Sequence, residues 1–228
     1  GDKFLSYLDY PREDNPYLGW RSIRVSLELR NVFRTQIRAI LRASDLGPLR
    51  LLFPMISSVR EIKDILKILQ EEKIHLQEKD ISFDPNIKIG ILLEVPAAVI
   101  ILEKLIKHVD FISVGTNDLV QFVLAVDRNN QKVAPLYNPL HPAVISTIAD
   151  VVSVCKKMKK PVVVCGEAAA NPKCAYLYLG MGVDQMSMNA PSVPIIKQLI
   201  RHVTQVDAKE VLRSVLSMDD AEEIEVFV

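Results

Sequence analysis

Residues 87–128 constrain the fold more than any other stretch: IKIGILLEVPAAVIILEKLIKHVDFISVGTNDLVQFVLAVDR. Two short apolar runs, 89–93 and 109–114, flank a helix-length segment at 96–107. Strand, helix, strand in this spacing predicts a parallel crossover unit. Each run leads into acid. Glu94 follows the first, and Gly115-Thr116-Asn117-Asp118 the second. In parallel α/β folds, chemistry sits at the carboxyl ends of strands. Neighbouring strands would set Glu94 and Asp118 facing one another across a mouth. Two bare carboxylates about 4 Å apart repel by about 4 kcal/mol at an effective dielectric near 20. A divalent cation relieves that repulsion, and a pair of hard oxygen ligands suits Mg²⁺.

The same alternation runs the length of the chain. Residues 1–19 read as a loop. Strands are predicted at 21–25, 49–55, 87–93, 109–114, 162–165 and 184–188. Helices are predicted at 26–43, 59–79, 96–107, 143–158, 171–179, 194–203 and 208–217, with a short apolar segment at 119–126. Ser58 and Glu61 are spaced for a capping box, and Pro142 suits a first helical turn. Strict βα alternation implies a parallel sheet. Polar or glycine-rich clusters close almost every strand, which favours a βα barrel over an open sheet with one switch point. A barrel has eight strands. Six are legible here, so the expectation is an α/β barrel short of its first two strands.

Composition narrows the function classes. Of 228 residues, 49% are hydrophobic and 25% charged, enough for one domain with a sizeable core. Lys+Arg and Asp+Glu balance at 28 each, which advertises neither a nucleic-acid nor a membrane surface. Glu94, Glu103 and Lys104 interrupt the apolar stretches before any reaches bilayer length. Residues 1–10 do not read as a signal peptide. Cys155, Cys165 and Cys174 form no CxxC pair, so neither a disulfide framework nor a zinc cluster is expected, and a reducing cytoplasm is the simplest setting. The sequence starts at Gly1, which suggests a fragment or processed product.

The candidate residues each admit two readings. Glu94 is either a metal ligand or a helix-start carboxylate ahead of Pro96. Asp118 is either a ligand or part of an ordinary strand-to-helix turn. Arg128 has the fork that suits phosphate or carboxylate, or it makes a surface ion pair. Arg21 and Arg24, three apart on the predicted strand, point oppositely, and Arg21 is the one nearer the mouth. Cys165 ends an apolar strand as either a small buried hydrophobe or an acid/base or nucleophilic thiol. Cys155 and Cys174 read as packing residues, His141 as a turn former, and His75, His108 and His202 as surface positions. No GxGxxG or Walker loop supports an ATP site.

Beyond these single residues, seven blocks recur in one order: GDKFLSYLDYPREDNPYLGWRSIR, LLFPMI, IGILLEVPAA, DFISVGTNDLVQFVLAVDRNN, YNPLHPAV, VVVCGEAAANP and GMGVDQMSMNAPSVP. Together they resemble the C-terminal half of enzyme I of the bacterial phosphoenolpyruvate:sugar phosphotransferase system. The GTNDL…AVDR and CGE blocks are also similar to those of pyruvate phosphate dikinase and phosphoenolpyruvate synthase, while the NPYLGWRSIR opening favours enzyme I. The resemblance implies a (βα)8 barrel that binds phosphoenolpyruvate and Mg²⁺. It implies Glu94 and Asp118 as metal ligands and Asn117, Asp118, Arg128 and Arg21 as substrate ligands. Cys165 would be the acid that protonates the enolate carbon of pyruvate. It further implies a homodimer, an upstream phosphohistidine domain and the carrier HPr as partners. Two substrate-binding arginines, the phosphohistidine and the HPr-docking domain precede the matched region in that family. The chain by itself is therefore expected to be inactive. Open sheet edges beside 21–25 and 184–188 would invite association. Remaining alternatives are a dikinase or synthase barrel, or a non-catalytic dimerisation or regulatory module.

Overall fold

The computed structural model describes residues 13–228. A turn leads into two helices, α1 (Ile23–Glu28) and α2 (Arg30–Ala43). Strand β1 (Arg50–Phe53) follows, then α3 (Val59–Gln77), β2 (Lys88–Leu93), and the short helices α4 (Pro96–Ile100) and α5 (Leu102–Leu105). Next come β3 (Phe111–Gly115), α6 (Thr116–Leu124), α7 (Pro142–Lys157), β4 (Val162–Cys165), α8 (Pro172–Met181) and β5 (Gln185–Ser187). Three helices close the chain: α9 (Val193–His202), α10 (Gln205–Val215) and α11 (Ala221–Phe227).

The five strands form one parallel sheet in the order β1-β2-β3-β4-β5. An order that never reverses has no switch point. Right-handed crossovers advancing in one direction set their helices on the same face, as in a βα barrel. Register and burial agree. Phe53, Ile91, Ile112 and Val162 lie level, as do Leu93, Val114 and Val164, and all seven belong to the main apolar core. Helical residues Ile62, Ile65, Leu69, Val144 and Ile148 pack in that core with them. Each such side chain contributes about 1.5–3 kcal/mol by leaving water. The opposite face carries Leu52 level with Gly90, and Gly115 level with Cys165, which is level with Ser187. Leu52 is 41% exposed. One face builds the fold; the other is left for the site.

The predicted strand at 21–25 is a helix. RSIRV alternates for only five residues, but Ile23 and Leu27 stand at helical spacing and both face the core, Ile23 fully buried. The described residues thus hold five strands rather than six. Closing an eight-stranded barrel would take three more, not two, and the open edges are β1 and β5. The predicted helix at 26–43 breaks at Leu29, whose ψ of 57° is not helical. That at 96–107 breaks at Ile101, where ψ is 17°. The segment at 119–126 is α6 and starts earlier, and α11 was not anticipated. The capping box is formed: Ser58 accepts the Glu61 N–H, and Glu61 returns to the Ser58 N–H. Predicted features at 1–12 lie outside the described residues.

α2 is fastened to α3 by charge as well as packing. Glu72, 2% exposed, accepts from Arg34 Nη1 at 2.9 Å and Arg38 Nε at 2.8 Å. Burial pushes the Glu72 carboxyl up, but the two arginine hydrogen bonds outweigh it and hold the pKa below the ordinary value.

Candidate functional site

Five loops and strand ends converge on two carboxylates. Glu94 leaves β2 ahead of α4, where Pro96 starts the helix. Its Oε1 accepts the Met55 N–H at 2.8 Å. Met55 lies just beyond β1 with φ at +58°, a left-handed conformation that is strained for a side chain of its size. The strain aims that N–H at the carboxylate. Glu94 is only 4% exposed. Burial pushes its pKa up to about 7; the Met55 hydrogen bond opposes the rise, Asp118 adds to it, and Arg21 and Arg128 moderate it. One residue past the last paired position of β2, Glu94 falls level with Gly115, and a Cβ there would meet Glu94 Oε2 at 2.9 Å. Glycine at 115 leaves the carboxylate its room.

Asp118 stands in the first turn of α6 and is buried. Its Oδ2 accepts from Arg21 Nη2 at 3.1 Å. Its Oδ1 lies 3.4 Å from Arg128 Nη2 but accepts no hydrogen bond. Arg21 Nη1 is likewise buried with no acceptor. Arg21 arrives from the turn before α1, so its reach into the site owes nothing to a strand. Arg128 follows α6, and Gln121 Oε1 accepts its backbone N–H at 3.3 Å. Burial works against the Arg128 cation, but Tyr17 and Asp118 beside it outweigh burial and hold its pKa above the ordinary value.

Cys165 ends β4 on the face away from the helices. Ser113 Oγ donates to its Sγ at 3.4 Å, and the thiol points to the Val114 carbonyl at 3.4 Å. Burial raises the thiol pKa, the Ser113 hydrogen bond lowers it, and the Glu94 charge raises it further; the net shift is upward. A thiol so placed stays protonated at neutral pH, the form that can donate a proton. The β3 and β4 exits are tied together: Thr116 Oγ1 donates to the Cys165 carbonyl at 2.8 Å, and the Glu167 N–H donates to Asn117 Oδ1 at 2.9 Å. Gly166, at φ +103°, permits that contact, since a Cβ would meet Thr116 Oγ1 at 2.4 Å and Asn117 Oδ1 at 2.7 Å.

Glu94, Asp118, Arg21 and Arg128 thus form one electrostatic cluster, with Cys165 close enough to feel Glu94. Asn117 lines a separate recess of about 260 Å³ with Gly166, Glu167, Ser187 and Met188. A larger cavity of about 470 Å³ borders Tyr17, Met55, Val95 and Gln121, yet none of the six predicted site residues lines it. The charges and unpartnered atoms, not cavity volume, mark the site. Sequence reasoning missed Met55, Tyr17, Ser113, Gly115 and Gly166. Only the last two carried a signal, as glycines at strand exits. Among the described residues no three His, Cys, Asp or Glu side chains group as a metal centre. Nor is any described helix long and apolar enough to cross a membrane.

Fold and site together define a class: a parallel βα protein with acid, arginine and thiol gathered at the carboxyl ends of its strands. A family profile described as "PEP-utilising enzyme, PEP-binding domain" matches residues 1–205, and the chain belongs to this family of PEP-utilising enzymes. Phosphoenolpyruvate-protein phosphotransferases from Haemophilus influenzae, Buchnera aphidicola of Acyrthosiphon pisum and Priestia megaterium are 47%, 46% and 42% identical to it. Those matches cover 99%, 98% and 100% of this chain but only 39%, 39% and 40% of the relatives. Among solved structures, a citrate lyase from Burkholderia xenovorans LB400 aligns with a TM-score of 0.56 at 15% identity, over 85% of this chain and 65% of that one. A pyruvate kinase from Cryptosporidium parvum gives 0.54 at 14%, over 80% and 38%. At those identities the two structures speak to the fold alone.

Proposed function

We propose that residues 1–228 are the phosphoenolpyruvate-binding domain of a phosphotransferase, whose whole protein passes the phosphoryl group to one of its histidines and on to the carrier HPr, releasing pyruvate. One observation carries the reading: Arg21 and Asp118, joined through Nη2 and Oδ2, each keep a second buried polar atom, Nη1 and Oδ1, with no hydrogen-bond partner, although Oδ1 also lies 3.4 Å from Arg128 Nη2. Buried polar atoms are rarely left so. The donor calls for an anion and the acceptor for a cation, and a phosphorylated acid chelated to a divalent ion brings both.

Two carboxylates are a fitting donor set for Mg²⁺, which is commonly held by one or two carboxylates with water and substrate oxygens completing its shell. Glu94 and Asp118 would hold it. When bound, the ion neutralises charge on the transferring phosphoryl group. Arg21 and Arg128 bind phosphate and carboxylate oxygens as forks. Asn117, one residue before Asp118 in the first turn of α6, orders the neighbouring loop through Glu167 and contributes to substrate binding. Cys165 gives its proton to the methylene carbon as the enolate of pyruvate forms; its raised pKa keeps that proton available, and Ser113 fixes the sulfur.

The relatives are more than twice as long as this chain, so turnover belongs to the whole protein, and the 228-residue chain alone is expected to bind weakly without turning over. For the parent protein we infer a cytoplasmic setting and a homodimer, as the resemblance of its sequence implies. Calorimetry of the chain with phosphoenolpyruvate, with and without Mg²⁺, tests the reading. Binding that strengthens with Mg²⁺ supports it; no heat at millimolar phosphoenolpyruvate in either condition sinks it.

A further inference from the structure

We propose that Tyr17 is a positioning residue of this site: its ring holds the Arg21 and Arg128 guanidiniums in the fork that receives the substrate's oxyanions. The proposal rests on the phosphoenolpyruvate reading for its ligand, but not for its geometry. Arg21 Cζ lies 5.4 Å and Arg128 Cζ 5.3 Å from the centroid of the same ring. The same two arginines flank the two oxygens of Asp118. Ring and carboxylate therefore share both cations.

The two contacts do different work. Asp118 neutralises one positive charge but occupies arginine N–H groups. An aromatic face attracts a guanidinium through its quadrupole and takes up no donor. Arg21, steadied by the ring, keeps its buried Nη1 unspent for a ligand, while on Arg128 the Tyr17 hydroxyl adds a hydrogen bond to the ring contact. Two like charges held together without ligand also repel. The ring favours both at once, so the fork can stand open before the anion arrives.

Tyr17 is itself fixed. It is 8% exposed, and its hydroxyl accepts from Asn129 Nδ2, in the turn that carries Arg128. Arg24 Nη1 donates to the Leu18 and Gly19 carbonyls at 2.6 and 2.9 Å, which pins the Tyr17 turn onto α1. The ring thus joins the segment that supplies Arg21 to the segment that supplies Arg128.

The test compares Tyr17→Phe and Tyr17→Leu in the 228-residue chain with two readouts. The first needs no ligand: the ¹⁵N–¹Hε resonances of Arg21 and Arg128. Stacked on a ring, both protons are displaced upfield. Tyr17→Phe keeps the displacement and Tyr17→Leu abolishes it, with the amide spectrum otherwise intact. Unchanged arginine signals in Tyr17→Leu overturn the stacking. The second readout is phosphoenolpyruvate affinity with Mg²⁺. Tyr17→Leu weakens it about tenfold, the scale of losing such contacts at a desolvated site, and Tyr17→Phe stays within about threefold on the same scale. Phosphoenolpyruvate binding by Tyr17→Leu as tight as wild type overturns the positioning role while leaving the site reading intact. Failure of the wild-type chain to bind overturns the site reading and the ligand half of this proposal, while the resonances still decide the stacking.

Discussion

Replacing Glu94 with glutamine should make the ligand-free chain more stable at pH 8 while abolishing its response to Mg²⁺. Burial holds the Glu94 pKa at about 7, against 4.5 for an ordinary glutamate. Between those values the folded chain keeps a proton that the unfolded chain has lost. Stability from this group is therefore fully present below about pH 4.5 and is lost as pH rises through 7. The difference corresponds to about 3 kcal/mol, an order-of-magnitude figure at 1.36 kcal/mol per pKa unit. Glutamine is nearly isosteric, its carbonyl oxygen can still accept the Met55 N–H, and it never ionises. Glu94→Gln should thus change stability little at pH 4.5 and raise it by about 1–3 kcal/mol at pH 8. Urea unfolding followed by Trp20 fluorescence and circular dichroism at both pH values measures this. Taking variant minus wild type at each pH cancels the other titrating groups, which are common to both. Millimolar Mg²⁺ should then stabilise the wild type at pH 8 and leave the variant unmoved. A variant less stable than wild type at pH 8, or an equal Mg²⁺ response in both, would refute the reasoning.

Glu72→Gln acts in the opposite sense: the Glu72 pKa is held down, so its contribution is present above the ordinary carboxylate pKa and lost as pH falls through the lowered value. The variant should lose about 1–3 kcal/mol at pH 7, discounted for half-exposed arginines, and the deficit should shrink by pH 3 in the same urea experiment. Gly166→Ala places a methyl group 2.4 Å from Thr116 Oγ1 at a φ only glycine holds easily. It should cost about 1–3 kcal/mol and depress phosphoenolpyruvate binding together with melting temperature; a normal melt would show that the Thr116 and Asn117 contacts are dispensable. Cys165→Ala should leave phosphoenolpyruvate affinity within a few fold, yet slow pyruvate release by the parent protein by about 10²-fold or more; equal turnover would remove the thiol from the chemistry.

Legibility varied with the range of the forces involved. Strands β1 to β4 and the helices between them were readable because each buries a local apolar pattern, and β5, though little buried, because it continues the strand–helix alternation. Glu94 and Asp118 were readable because an acid at the end of such a run stands out. RSIRV misled because five residues cannot separate a period of 2 from a helical turn, and only the later packing of Ile23 and Leu27 decides. The break at Leu29 has no composition signal. Met55 has none either: its left-handed backbone serves a hydrogen bond to a carboxylate 39 residues away in sequence. Arg21 was assigned to the site for a wrong structural reason. Tyr17 was passed over because an aromatic in a loop is ordinary until two arginines, one of them 111 residues distant, are found against it.

The division between the two sheet faces explains why this site is strained as well as charged. On one face, Phe53, Ile91, Ile112 and Val162 meet helices and supply burial. On the other, along the same strands, Leu52, Leu92, Phe111 and Val163 alternate with small and polar residues, Gly90, Ser113, Gly115, Cys165 and Ser187. Of these, Gly115, Cys165 and Ser187 lie at the strand exits, where they make room for chemistry at small loss to the fold. The costs gather at the strand exits: a left-handed Met55, a Glu94 held near neutral, unsatisfied atoms on Arg21 and Asp118. A chelated anion would remove three of them together, ionising Glu94 and pairing both orphan atoms. Ligand binding is then linked to folding, and the helix-covered face must carry the ligand-free chain. Substitutions on that face should lower stability with or without ligand, whereas those at the strand exits should change how much stability the ligand adds.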